Sequence, residues 1–343
     1  MNQTPRQIVK GLLEGLPPPR PLWLPIVFSR GARMENLPLR TFLGNATKIS
    51  NSARLIRGHV GSDGLACYFD PFLEAEALGA TLDWSSEDQP PVLRWSGRAP
   101  RGEMPQGLRS PEDAVTRGRI GIAVEVIRRL KSIVRDDSLL MAGVTGPFTL
   151  AARIMQLGYE HPLAFERFSD AALSIAASLM TLTSTAFVEA GANVIFMREE
   201  VLPRLADESC EAWAARLAPA VNIIRFYQAL PVLHIKDPGS FAQNSEVILR
   251  RHWDCVICPS LGKTLRLSSG IPPPGGPALG LALPLESLRP GQTGDYDIEG
   301  FLHYAVSEAG AAILTTADDV PPGSDMSRLT HISKSVRLGG SVQ

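Results

Sequence analysis

The segment Ala229-Leu230-Pro231-Val232-Leu233-His234-Ile235-Lys236-Asp237 contains an apolar run of strand length that is interrupted by two polar residues near its end. Residues two apart on a strand point to the same face, so His234 and Lys236 share a face. A parallel α/β barrel places polar residues of this kind at the carboxyl ends of its strands, where its interior opens. The segment therefore predicts a barrel strand with His234 and Lys236 at the mouth.

Seven further apolar runs of similar length recur along the chain, and most end in polar or turn residues. They are 24–28, 65–69, 139–144, 194–197, 255–258, 279–283 and 311–314. The runs are rich in Val, Ile and Leu with little alternation, as in parallel strands covered on both faces. Helical patterns occupy most of the intervals. Eight alternations of strand and helix predict an α/β fold, a (β/α)8 TIM-type barrel in a single domain over residues 1–343.

Two irregular intervals interrupt this pattern. Residues 83–107 are rich in Pro, Gly, Trp and charge, and predict an excursion or small hairpin between strands two and three. Residues 268–278 contain Pro-Pro-Pro-Gly-Gly-Pro and predict a loop at the mouth between strands six and seven. A doubly wound open sheet is the alternative fold, but no Gly-rich fingerprint follows the first strand.

The composition limits the possible partners and locations. The formal net charge is −1, which gives no electrostatic basis for binding nucleic acid or an anionic membrane. The first residues lack the apolar region of a signal peptide, and no uninterrupted apolar stretch reaches the length of a membrane span. The four cysteines are too few for a disulfide framework in a chain of 343 residues. We therefore expect a cytoplasmic, reduced protein.

The predicted strand ends carry a dense set of titratable residues for a chain that is 20% charged. Helix caps and loop salt bridges are the alternative explanation for any single member of this set. The candidate catalytic residues are Arg30, Asp70, His234, Lys236 and Asp318. The candidate substrate-binding residues are Glu76, Thr149, Arg153, Glu199 and Cys258.

Four motifs resemble a known family. Phe72-Leu73-Glu74-Ala75-Glu76-Ala77-Leu78-Gly79 is similar to a segment of corrinoid- and thiol-dependent methyltransferases. Gly146-Pro147-Phe148-Thr149-Leu150, Gly191-Ala192-Asn193-Val194-Ile195 and Asp319-Val320-Pro321-Pro322 resemble motifs of the wider uroporphyrinogen decarboxylase superfamily. The chain is identified as a member of this superfamily over residues 25–337, closest in motifs to its methyltransferase branch. The resemblance implies a TIM-type barrel, a small-molecule substrate, a corrinoid protein as partner and a homodimer.

The metal ligands of the methyltransferase branch are altered in this chain. The resemblance implies zinc held by His-x-Cys after strand five and by a second Cys near the last strand, which would make a thiol substrate a thiolate. His234 is kept, but Lys236 stands at the first Cys and Asp318 at the second. Because an ammonium repels a dication, we do not expect a standard zinc–thiolate site. His234 and Asp318 remain the candidate metal ligands, and the cofactor stays open.

The decarboxylase branch offers a second comparison. Ser29-Arg30-Gly31-Ala32-Arg33 resembles the Arg motif of that branch, and Tyr68-Phe69-Asp70-Pro71 resembles its Phe-Ser-Asp segment. The resemblance implies that Arg30 binds a substrate carboxylate and that Asp70 is the key carboxylate. Arg153 falls where a Tyr is expected, and Asp318 falls where a His is expected. The set of cationic residues for an acidic substrate is therefore incomplete, and heme synthesis is not the expected role.

Several functions follow from these residues. The motifs favour a methyltransferase that uses a corrinoid or folate as methyl donor or acceptor, with non-standard metal ligation. A decarboxylase of a porphyrinogen-like or other carboxylate is the alternative, in which Arg30 holds the carboxylate and Asp70 a ring nitrogen. Lys236 could instead form a Schiff base, or a salt bridge to Asp70, Glu199 or Asp318. A non-catalytic ligand-binding barrel is a further alternative.

Overall fold

The computed structural model describes residues 3–86, 90–96, 100–157, 164–200, 202–260, 276–291 and 296–338. The strands are β1 Leu22–Trp23, β2 Gly64–Tyr68, β3 Thr81–Asp83, β4 Val92–Arg94, β5 Leu139–Thr145, β6 Val194–Glu199, β7 Leu230–Ile235, β8 Cys255–Pro259, β9 Ala278–Leu283 and β10 Ile313–Thr316. The helices are α1 Pro5–Leu13, α2 Arg30–Met34, α3 Leu39–Leu43, α4 Ala46–Val60, α5 Leu73–Ala77, α6 Pro111–Ala114, α7 Ile120–Lys131, α8 Pro147–Ile154, α9 Asp170–Ala190, α10 Asp207–Phe226, α11 Pro238–Leu249, α12 Ile298–His303 and α13 Met326–Leu338.

Eight parallel strands form one sheet in the order β1-β10-β9-β8-β7-β6-β5-β2. The predicted TIM-type barrel is therefore confirmed, and its strands are almost completely buried. The helices of the intervals cover the outside, which explains why the strands read as continuous apolar runs.

The first strand differs from its predicted position at residues 24–28. Its ladder with β10 covers only Leu22–Trp23, although the chain continues beside β10. The Leu24 amide still donates to the Leu314 carbonyl at 2.8 Å, and threonine side chains supply further hydrogen bonds to this segment. The Thr315 hydroxyl donates to the Leu24 carbonyl at 2.7 Å, and the Ile26 amide donates to the Thr316 hydroxyl at 3.0 Å.

An antiparallel hairpin of β3 and β4 lies between the second and third barrel strands, and it begins at Thr81. Just after β4, the Trp95 indole donates a hydrogen bond of 2.8 Å to the Arg153 carbonyl in α8. The hairpin is therefore attached to the first helix after β5. Of the loop predicted at 268–278, residues 268–275 lie outside the described residues.

Asp63 closes the seam between β1 and β2, the two strands at the ends of the sheet order. Its carboxylate accepts hydrogen bonds from the Trp23 amide at 2.9 Å and from both terminal nitrogens of Arg20 at 2.6 and 2.9 Å. Its own amide donates to the Trp23 carbonyl at 2.9 Å. Asp63 is 1% exposed, so this junction is shielded from water.

Glu199, at the end of β6, fixes the start of α8. Its carboxylate accepts from the Phe148 amide at 3.1 Å, from the Thr149 amide and hydroxyl at 2.9 and 2.7 Å, and from the Trp213 indole at 3.2 Å. A negative charge at a helix N-terminus satisfies its free amides and its dipole. Gly146 lies directly against this carboxylate, where a Cβ atom would collide with it.

Helix α9 is the one helix of the described residues that is long and apolar enough to cross a membrane, with a mean hydropathy of 1.6. Half of its apolar window is buried in the protein, and it packs against α7, α8 and α10. These contacts are those of a core helix in a globular protein.

Replacing Asp63 with alanine should lower the free energy of unfolding by about 3 kcal/mol, because it leaves the Trp23 amide and part of the Arg20 charge buried without a partner. Denaturant titration measures this change. Asp136→Ala is the matched control, since Asp136 pairs with Arg6 at the surface and is 76% exposed. A loss no larger than that of the control would show that Asp63 does not hold the seam.

Glu199 should make stability depend on pH. Burial raises the pKa of Glu199 from 4.5 to about 7, although hydrogen bonds from Thr149, Phe148 and Trp213 act to lower this pKa. The folded chain then binds the proton more tightly than the unfolded chain, so the contribution of Glu199 to stability falls as pH rises from about 4.5 to 7. The difference in unfolding free energy between the wild type and Glu199→Gln should fall over this range.

Chemical denaturation at a series of pH values tests this expectation. Glu208→Gln, at an exposed position in the first turn of α10, is the control and should give a flat difference. A flat difference for Glu199→Gln as well would contradict the raised pKa.

Candidate active site

Five side chains from α8, the end of β6 and the segments that follow β7 and β10 meet at the carboxyl end of the barrel and form an ion-paired group, the mouth ion cluster. They are Arg153, Arg198, Glu200, Lys236 and Asp318. The Lys236 ammonium lies 2.6 Å from Glu200 Oε1 and 2.5 Å from Asp318 Oδ2. Arg153 pairs with Glu200 Oε2 at 2.5 Å, and Arg198 pairs with Asp318 Oδ1. The charges therefore alternate in sign along the cluster.

The neighbouring cations keep both carboxylates of this cluster ionised. Burial alone would raise the pKa of Glu200, but Arg153, Lys236 and Arg198 lower it to about 2. Burial acts in the same direction on Asp318, and Arg198 and Lys236 outweigh it, so that its pKa lies well below the ordinary range. With three cations and two anions, the cluster carries a formal charge of +1.

His234 lies in the barrel interior next to this cluster. It is the register partner of Arg198, and its ring centroid is 6.0 Å from that of Phe196. The imidazole is completely buried, and neither ring nitrogen has a hydrogen-bond partner in the part of the chain that the structure describes. Burial, with help from Arg198, lowers its pKa to about 3. The ring is therefore neutral at physiological pH.

Asp70 belongs to a second charged group beside the mouth. Arg119 Nη1 lies 2.5 Å from Asp70 Oδ2, and Arg119 Nε donates to Glu76 Oε2 at 2.8 Å. The other oxygen of Asp70 accepts from the Phe72 amide at 3.0 Å. Sequence reasoning missed Arg119, because this residue precedes α7 and follows no strand.

Arg30 is held by a different set of contacts. Its guanidinium donates to the carbonyls of Pro322 and Ser324 at 2.6 and 3.2 Å. The cation paired with Asp70 is Arg119 rather than Arg30. Arg30 therefore joins α2 to the turn after β10.

Two other candidate substrate-binding residues, Thr149 and Cys258, lie in different surroundings. The Thr149 hydroxyl donates to Glu199 and accepts from the Glu200 amide at 2.7 Å, so it links the start of α8 to the cluster. Ile257 points into the barrel, where its side chain packs over Gly280. Its neighbour Cys258 must face the helices, and burial raises the pKa of that thiol well above its ordinary value.

A cavity of about 890 Å³ opens beside these groups. Its walls combine aromatic and aliphatic side chains, among them Phe28, Phe69 and Phe72, with the carboxylates Asp70 and Asp318. This size and lining are typical of a site for a small organic molecule. The cavity lies at the carboxyl ends of the strands, where TIM-type barrels carry their active sites.

These residues do not fit a zinc–thiolate centre. Within the described ranges, no three His, Cys, Asp or Glu side chains form a group that could hold a metal ion. Asp318 is already bound by two cations, and Lys236 places a positive charge between the acidic residues.

The chain resembles methyltransferases in sequence and in fold. It is 36% identical over 88 residues to a methylated-thiol–coenzyme M methyltransferase of Methanosarcina mazei, covering 25% of this chain and 22% of that protein. It is 27% identical over 128 residues to the methylcobamide:CoM methyltransferase MtaA of Methanosarcina barkeri, covering 37% of each. The matches therefore span well under two thirds of these relatives. A solved methyltransferase structure from Methanosarcina mazei superposes with a TM-score of 0.74 over 99% of both chains, at 16% identity.

The structural likeness at this identity concerns the fold, and it agrees with the barrel described above. Family membership rests on a family model described as uroporphyrinogen decarboxylase (URO-D), which matches residues 7–242. The match covers more than half of the 343 residues and includes β1 to β7. The chain therefore belongs to the uroporphyrinogen decarboxylase (URO-D) family.

Proposed function

We propose that this protein is a cytoplasmic methyltransferase that moves a methyl group between a small molecule and a cobalamin, corrinoid-protein or folate carrier. The observation that carries this proposal is the sequence similarity to two methyltransferases. The cavity at the barrel mouth supports it, because its apolar walls and fixed carboxylates suit a small organic substrate. The chain departs from the methyltransferase branch of the superfamily at Lys236 and Asp318, whose charges do not suit a zinc–thiolate site.

The carboxylates of the cavity are suited to orienting a substrate rather than to removing its proton. Arg198 and Lys236 hold Asp318 in its ionised form, and a carboxyl group of such low pKa is a poor base. It can still accept a hydrogen bond and fix the direction of an O–H, N–H or S–H group. Arg119 orients Asp70 on another part of the same cavity wall. In the proposed reaction both residues position the group that gives or receives the methyl.

Decarboxylation is the second candidate, and the position of Asp70 favours it. This carboxylate lies at the end of β2, lines the cavity and is held by Arg119. A carboxylate at this place could bind a ring nitrogen that becomes positive during loss of CO2. The hydrogen bonds of Arg30 to Pro322 and Ser324 weigh against decarboxylation, because Arg30 is the residue that would bind the substrate carboxylate.

The contacts of Lys236 are those of the salt-bridge alternative. Its ammonium pairs with Asp318, one of the three partners considered from the sequence, and also with Glu200. These two ion pairs give Lys236 a complete electrostatic role without a covalent intermediate.

Incubation of the purified protein with methylcobalamin and a panel of thiols, phenols and amines tests the proposed activity. Loss of the methylcobalamin absorbance together with a methylated product is the expected result. Asp70→Asn and Asp318→Asn should lower kcat/KM by about 10- to 100-fold, which is the value of one charge-assisted hydrogen bond. Asp136→Asn, at the exposed surface position, should leave kcat/KM unchanged.

The same assay separates the alternatives. Release of CO2 from carboxylated substrates without methyl transfer would replace the proposal with a decarboxylase. Binding of small molecules without either product would instead support a non-catalytic ligand-binding barrel.

A further inference from the structure

We infer that the cavity of about 890 Å³ at the barrel mouth, the mouth cavity, takes a neutral or cationic molecule with an apolar body and disfavours anions. Pro90 and Pro91 of the β3–β4 hairpin set the length of that body. This inference rests on the proposed function for the use of the cavity as the substrate site, and it names the class of substrate.

The first argument is the sign of the charges on the cavity wall. Among the described residues that line the cavity, the acidic side chains are Asp70, Asp318 and Asp319, and the one basic side chain is Arg33. Arg33 lies on α2 and is exposed. An anionic group in the cavity would therefore meet carboxylate oxygens, whose repulsion is stronger away from bulk water.

Asp318 is more open to a ligand than Asp70. The side chain of Asp318 is 35% exposed, whereas that of Asp70 is 4% exposed. Arg198 and Lys236 pair with Asp318, but neither of them is a lining residue of the cavity. A ligand thus meets the negative end of these ion pairs, which favours an ammonium, N–H or O–H group over a carboxylate.

The second argument is the size of the cavity and its apolar lining. Its volume lies in the upper part of the range of about 300–1,000 Å³ that is typical of sites for drug-sized molecules. A molecule of two or three carbon atoms would leave most of the apolar wall in contact with water. A longer body gains affinity by about fourfold for each CH2 group that it buries. The apolar wall includes Leu37, Leu39, Leu43 and Phe72.

The third argument is the part of the wall that the β3–β4 hairpin supplies. Pro90 and Pro91 directly precede β4 and line the cavity, and Pro91 is buried. Pro321 and Pro322, after β10, line the same cavity. Proline has a fixed φ angle and no N–H group, so this part of the wall is stiff and donates no backbone hydrogen bond.

Contacts on both strands hold the hairpin in place. Asp83 and Arg94 form an ion pair of 2.8 Å between β3 and β4. The Trp95 indole donates to the Arg153 carbonyl of α8 at 2.8 Å. The hairpin wall is therefore fixed relative to the barrel, and a ligand body that reaches it cannot extend further.

Isothermal titration with three ligands tests the charge preference. 3-Phenylpropylamine, 3-phenylpropanol and 4-phenylbutyrate share a ring and a three-carbon linker, and they differ in the charge of the end group. The amine and the alcohol should bind at least about tenfold more tightly than the carboxylate, which is the effect of one hydrogen bond to a charged group. Asp318→Asn should lower the ratio of amine to carboxylate affinity by about tenfold, and Asp136→Asn, at the exposed surface position, should leave it unchanged.

A series of phenylalkylamines from benzylamine to 6-phenylhexylamine tests the length limit. The affinity should rise by about fourfold per CH2 group and stop rising where the body reaches the hairpin wall. Pro91→Ala should move this limit to a longer chain by at least one CH2 group. Pro90→Ala is a second variant in case Pro91→Ala lowers the midpoint of thermal unfolding. Pro100→Ala, at an exposed position outside the cavity lining, should keep the wild-type limit.

Three results would overturn the inference. They are binding of 4-phenylbutyrate as tight as that of the amine, no binding of the amine or the alcohol, and one length limit shared by the wild type and both proline variants. These titrations contain no methyl donor, so their outcome is separate from that of the methyl-transfer assay. Methyl transfer to anionic acceptors in preference to neutral ones would overturn this inference and leave the proposed function in place. Selective binding without any methylated product would contradict the proposed function alone.

Discussion

The carboxyl end of this barrel depends on partly buried charges that lie next to charges of opposite sign. The charged residues come from four separate places in the chain, and each would be costly to bury alone: Arg153, the neighbouring Arg198 and Glu200, Lys236, and Asp318. Because the charges alternate in sign, each one offsets the free-energy cost of burying its neighbours. Removal of any member therefore leaves a neighbour without its partner. The positions of β6, β7 and the turn after β10 at the mouth are thus fixed by electrostatics as well as by packing.

Residues that are adjacent in the chain also stabilise different parts of the structure. Glu199 and Glu200 are consecutive, yet Glu199 holds the N-terminus of α8 while Glu200 joins the ion cluster. Thr149 connects the two, because its hydroxyl donates to one and accepts from the amide of the other. Asp63 has a comparable structural role at the opposite end, where it replaces a ladder between β1 and β2.

Most of the barrel could be predicted from the sequence. Parallel strands that are covered by helices are apolar on both faces, so they occur in the sequence as short apolar runs between helical patterns. The first strand was the exception, since threonine hydroxyls carry hydrogen bonds that a ladder normally supplies. Lys236 and Asp318 were proposed as candidate residues from their positions after strands. Their full set of partners was not, because ion pairing depends on which side chains meet in three dimensions. Arg119 shows this most clearly: it lies in an interval before a helix, yet it is the cation that holds Asp70.

One contact outside the barrel has a practical consequence. The Trp95 indole, which follows the β3–β4 hairpin, donates to the carbonyl of Arg153, and the side chain of that arginine pairs with Glu200. The Arg153 guanidinium also lies 5.4 Å from the ring centre of Phe72, on the wall of the cavity. A molecule whose binding shifts Arg153 would alter the hydrogen bond of an indole whose emission depends on its local surroundings. Trp95 is thus an intrinsic fluorophore hydrogen-bonded to a residue of the mouth ion cluster.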